Sequence, residues 1–236
     1  MARAILKTGN KILRTAGRIF QVGDVRPPVL DLNPALIVAN NNDLITKFAD
    51  SSEYKNDGII ADNVHKATFK TNAINGMPVL EFDGVNDYYI LNTAVQIKTG
   101  FLIIRNTSAS QGNLNPVLSG NSGPSSDYFD SANDTQLFRT YLNLLFSDSF
   151  GNRLWINGGR INPITLAQQQ QYFRLISLDV GANVTISLTQ IAHRAANAVG
   201  LYHWKGQIAR IIIYDYRLTD IDRKIIEQQL ITQYAL

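Results

Sequence analysis

Apolar residues in this chain fall in short runs separated by polar turns, not in helical stripes. Val79-Leu80-Glu81-Phe82 and Tyr88-Tyr89-Ile90-Leu91 read as strands, and Asp83-Gly84-Val85-Asn86-Asp87 between them is turn chemistry. Phe101-Leu102-Ile103-Ile104 is a continuous apolar run of the length of a fully buried strand. Further strands are predicted over residues 137–146, 153–156, 172–178 and 184–188, with Ile208 to Tyr214 as the strongest. Clusters of Gly, Asn, Ser and Asp over 119–127, 147–152, 157–159 and 179–183 mark the turns between them. The pattern changes only at the end of the chain. There Thr219 is the expected N-cap of a helix, with Asp220 and Asp222 in the first turn where the helix dipole favours anions. Ile221, Ile225, Leu230 and Tyr234 form its expected apolar stripe, widened by Ile226. Many short strands with one terminal helix predict an all-β sandwich or barrel.

The first residues follow another rule. Lys7 to Leu13 is echoed by Arg14 to Phe20, and the apolar pairs Ile5-Leu6, Ile12-Leu13 and Ile19-Phe20 stand seven residues apart. That period suits one face of a helix, but Gly9 and Gly17 each cost a helix about 1 kcal/mol relative to alanine. Residues 1–24 are therefore expected to be an extended docking arm that orders on a partner. Its pegs are the three apolar pairs, and Arg3, Lys7, Lys11, Arg14 and Arg18 would meet carboxylates or phosphates. A solvated terminus and an organelle transit peptide are the other readings; no apolar core of a secretory signal is present. Residues 25–34, with Arg26-Pro27-Pro28, read as a linker that cannot continue a helix. Residues 35–236 are the body.

Composition sharpens this division. The 236 residues are 45% hydrophobic, enough for one large core. Residues 1–26 hold six cations and one acid, a net of +5, so the remainder carries −2 of the total of +3. The basic character belongs to the arm, and nucleic acid is an unlikely partner for the body. With no cysteine there is no disulfide framework and no thiolate chemistry. No apolar run is long enough for a membrane-spanning helix.

Two segments carry a family resemblance. Asn75-Gly76-Met77-Pro78-Val79-Leu80-Glu81-Phe82-Asp83-Gly84-Val85-Asn86-Asp87-Tyr88 resembles a segment of the concanavalin A-like (laminin-G-like) superfamily. Trp204 to Asp215 is similar to that superfamily's penultimate strand, and Leu218 to Leu236 to its closing helix. Together they cover roughly residues 30–236, and the arm has no counterpart. The resemblance implies a jelly-roll β-sandwich of a kind found in phage virion and bacterial surface proteins. It is specific for fold and weak for function, because this fold hosts lectins, hydrolases and virion proteins alike.

The chemistry expected from the residues is binding. Hydrolases of the superfamily share a Glu-x-Asp-x-x-Glu strand, and a retaining glycosidase needs two carboxyls about 5–5.5 Å apart. Here Glu81 and Asp83 are followed by Asn86, and the only other glutamates are Glu53 and Glu227. No catalytic set is expected, and the chain is read as a non-enzyme. Asp83, Asn86 and Asp87 are weak calcium candidates beside the acid-rich stretch Asp127, Asp130 and Asp134; otherwise no cofactor is expected. His65, His193 and His203 lack zinc-ligand spacing. Tyr128 and Phe129, in a stretch read as a polar loop, are the glycan-platform candidates, while Trp204 is read as core. The leading expectation is a virion structural protein, a capsid decoration or head/tail appendage assembled in the host cytoplasm. It would dock on a major capsid or other virion protein, with homo-oligomers open to it. The alternative is a carbohydrate-binding module facing a cell-surface glycan.

Overall fold

The computed structural model describes residues 6–8, 11–13, 25–107, 115–120, 127–131, 153–161, 172–180, 186–193 and 203–236. In chain order the strands are β1 (Leu6–Thr8), β2 (Lys11–Leu13), β3 (Leu30–Leu32), β4 (Lys47–Phe48), β5 (Gly58–Ile59), β6 (Thr68–Ile74), β7 (Met77–Asp83) and β8 (Tyr89–Ile97). They continue as β9 (Thr99–Asn106), β10 (Asn115–Ser119), β11 (Asp127–Ser131), β12 (Leu154–Ile156), β13 (Gly159–Arg160), β14 (Arg174–Asp179), β15 (Ile186–Ile191) and β16 (Lys205–Tyr214). Helix α1 (Asp220–Tyr234) closes the chain. The body strands form two antiparallel sheets. One runs β11-β10-β15-β8-β5-β4; the other runs β13-β12-β14-β9-β16-β7-β6, with β3 also on β16.

Side-chain alternation explains how the sheets stack. On β9, Leu102 and Ile104 join the larger apolar cluster, while Phe101 and Ile103 join a second one. On β16, Ile208, Ile211 and Ile213 face the first cluster and Ala209, Ile212 and Tyr214 the second. The first cluster also takes Phe48, Tyr89, Leu91, Val95, Ile97, Leu118, Ile186 and Leu188 from the smaller sheet, so the two sheets share one interior. The second cluster lies between the back of the large sheet and Ile226, Leu230 and Tyr234 of α1. Strands covered on both faces bury apolar side chains on both, which is why Phe101–Ile104 of β9 and Ile211–Tyr214 of β16 read as unbroken runs.

Turn chemistry sets the registers. Asn75-Gly76 joins β6 to β7 with φ of 44° and 75°, and Asn157-Gly158 joins β12 to β13 with φ of 48° and 78°. Two consecutive residues at positive φ make the hairpin turn whose twist matches the strands, and Asn-Gly adopts it at least cost. Ile74 then pairs with Met77 and Ile156 with Gly159.

Three expectations are corrected. The helix buries Arg223, Ile226, Glu227, Leu230 and Tyr234, while Ile221 is 70% exposed. Arg223 packs its guanidinium 3.7 Å from the Trp155 ring centroid and is ion-paired with Glu227, so a charged pair occupies the buried face and Ile221 turns to solvent. Thr219 caps the helix as expected, its side chain accepting from the Asp222 amide. Tyr128 and Phe129 lie on β11 and not in a loop. Within the stretch read as a linker, β3 pairs with β16 through Leu32 and Ile211, and Val25 is already buried. The strand expected over residues 137–146 lies outside the described residues.

Candidate functional site

The arm is described in part. β1 and β2 pair antiparallel, Leu6 with Leu13 and Thr8 with Lys11, in a two-stranded sheet of their own. Arg3, Ile5, Arg14, Arg18, Ile19 and Phe20 lie outside the described residues.

The acids proposed for calcium or hydrolysis are engaged locally. Asp83 Oδ1 accepts from the amides of Val85 and Asn86, and Asp87 Oδ2 accepts from the Asp83 amide. These bonds shape the turn from β7 to β8. Glu81 is held by Lys70 Nζ at 3.2 Å and by the Gln207 side-chain amide. Among the described residues no three His, Asp or Glu side chains are grouped so as to hold a metal ion. Trp204 is fully buried, with Nε1 donating to Asn106 Oδ1 at 2.9 Å. In register Tyr128 stands opposite Leu118 of β10, itself a core residue.

Two groupings went unread in the sequence. The first is a polar row on the back of the large sheet. Thr68 pairs with Glu81, Glu81 with Gln207, and Gln207 with Arg105, so four adjacent strands place these residues in line. Arg105 Nη2 donates to Gln207 Oε1 at 2.6 Å, and its guanidinium lies 4.8 Å from the Phe173 ring centroid. Each row member on β7, β16 and β9 is two residues beyond a residue covered by α1: Val79, Ala209 and Ile103. The row thus lies just past the helix, with Phe173 at its Arg105 end. A lone polar residue after an apolar run, such as Glu81 or Arg105, was the available signal.

The second grouping gathers every histidine of the chain around Tyr88. The His193 and His203 rings stack at 4.7 Å, and the Tyr88 ring lies 4.8 Å from His193 and 6.0 Å from His203. His65 is 5.1 Å from Tyr88 on its other flank, and its Nδ1 is 2.7 Å from Asp62 Oδ1. Residues so far apart in sequence meet because β15 ends and β16 begins at one edge of the sandwich, where His193 and His203 form a backbone bridge. No sequence spacing announces this. Burial, and next the charge of His203, push the His193 imidazole down to about 4; burial also lowers His203. Burial pushes the Asp87 carboxyl up to about 7.

Comparison with protein-family models, curated proteins and solved structures finds no match for this chain. Among the described residues no helix is long and apolar enough to cross a membrane.

Proposed function

We propose that this chain is a non-enzymatic structural protein of a phage virion surface, a capsid decoration or head/tail appendage. In this reading residues 1–24 anchor it to a major capsid or other virion protein, and a concanavalin A-like jelly roll is displayed outward. The observation that carries the reading is the arm. β1 and β2 pair with each other and with no described strand of the body sheets, and the arm's segment holds the net positive charge that the body lacks. The two-sheet architecture and the resemblance of residues 75–88 and 204–236 support the jelly-roll part. Many copies on one particle would make weak outward contacts effective through avidity. Deleting residues 1–24 is expected to reduce incorporation into assembled particles at least about tenfold, as about 1.4 kcal/mol of lost docking would. Undiminished incorporation overturns the reading.

The polar row favours carbohydrate binding as a second reading. Planar amide, carboxylate and guanidinium groups in line, with the Phe173 ring against Arg105, match a glycan's alternation of hydroxyls and apolar ring faces. On a glycan array the intact protein is expected to retain an oligosaccharide, and Arg105→Ala or Gln207→Ala to weaken that retention about tenfold. An array on which these variants bind as the parent does removes the row from the reading.

A further inference from the structure

The grouping of histidines about Tyr88 has no part in docking or display, and its geometry is that of a proton-operated contact. We propose that the His193–His203 stack is an acid-sensitive clasp joining the end of β15 to the start of β16, closed while both imidazoles are neutral and released when both take up protons.

The clasp is built from backbone and ring contacts together. The Trp204 amide donates to the Ala192 carbonyl at 3.1 Å, and the Ala192 amide to the Val117 carbonyl at 2.8 Å. The Ser119 hydroxyl donates to the His193 carbonyl. The two rings close over this junction at an interplanar angle of 26°, and Tyr88 covers them. His203 is 5% exposed, and Nδ1 of each ring is buried with no hydrogen-bond partner among the described residues. Neutral rings tolerate this arrangement. Two imidazolium rings 4.7 Å apart would repel, with water largely excluded.

Among the described residues the carboxylate whose charge acts on His203 is Asp83, which favours protonation less than burial opposes it. From the segment before β6, Asp62 faces His65 and is bonded to it and to the amides of Val64 and His65. From the turn between β7 and β8, Asp83 is bonded to amides of its own turn. The backbone of Asp87, not its carboxylate, also acts on His203, in the raising direction. On β16 the next charge is Lys205, a cation opposite Asp83 in register. From β10 the facing group is the Ser119 hydroxyl, which carries no charge.

The order of protonation follows from the directions. Asp87, raised to about 7, takes its proton first as pH falls, and that uptake favours the folded state. His193, lowered to about 4, and His203 act in the opposite sense. An opened form binds their protons more readily, so stability at this junction is present at neutral pH and is lost as pH falls below the ordinary histidine range.

The test is amide hydrogen exchange by NMR on the full chain from pH 7 to pH 4, corrected for intrinsic exchange. Protection of the Ala192 and Trp204 amides is expected to fall at least tenfold across that range, while amides in the middle of the β9–β16 pair keep theirs. In the double variant His193→Phe/His203→Gln, which keeps an aromatic ring and a neutral donor, the fall should vanish. Protection that does not change with pH in the parent overturns the proposal, as does an equal fall in the variant. If the variant does not fold, the parent decides alone. Its imidazole signals must titrate in step with the loss of Trp204 protection, and rings that protonate while that amide stays protected overturn the clasp.

Discussion

Replacing Trp204 with alanine is expected to destabilise the protein by about 4 kcal/mol, the range for emptying a large aromatic site in a core. The ring has no exposed surface, packs 5.9 Å from the Phe82 ring centroid and satisfies Asn106 through Nε1. Alanine would leave a cavity and remove the Nε1 hydrogen bond to Asn106, and the second effect alone costs about 0.5–1.5 kcal/mol. Urea unfolding followed by far-ultraviolet circular dichroism measures the loss, and a change under about 1 kcal/mol would show that the site collapses around the gap. The same ring explains Gly206. A Cβ there would stand 2.4 Å from the Trp204 ring and 2.5 Å from the Arg105 carbonyl oxygen, so the indole lies across bare backbone. The tryptophan and the glycine two residues later are one packing device.

Arg210→Met is expected to cost about 3–5 kcal/mol, the range for stripping one partner from a buried ion pair. Arg210 is 3% exposed on β16, with Nε and Nη2 each 2.8 Å from a carboxylate oxygen of Asp31 on β3. Methionine fits the space but leaves the buried Asp31 carboxylate, among the described residues, with the Ser51 hydroxyl alone as its partner. The loss should spread along the chain, because the Asp31 amide donates to Asp50 and Asp50 also holds the amides of Ser52 and Asn56. The double change Asp31→Leu/Arg210→Met should recover more than half of the single loss, since apolar residues of similar volume replace a buried pair at little cost. The same urea titration tests both variants. A single variant within about 1 kcal/mol of the parent would mean that water reaches Asp31.

What the chain discloses about its fold depends on how many faces an element buries. β9 and β16 are covered on both sides and stand out as apolar runs, and Asn-Gly turns announce themselves through backbone stereochemistry. β4 and β5 are two residues long, and β3 follows two prolines, so their partners, not their composition, make them strands. The helix is evident from Thr219 and its acids, yet its buried face is not, because Arg223 and Glu227 become core residues only once Trp155 lies beside them. The polar row leaves a faint trace as single hydrophilic residues in apolar strands. The histidine grouping leaves none, since residues 65, 193 and 203 are neighbours only after two sheet edges have met.

The place of β16 has a consequence for biosynthesis. This strand fills the middle of the large sheet, between β9 on one side and β7 and β3 on the other, though it lies near the end of the described chain. While a ribosome is still making the body, β3, β7 and β9 have emerged without the strand that joins them. Their unpaired edges must then wait until β16 has been made, because non-local pairing cannot be completed before its partner exists. The large sheet therefore closes in one late step.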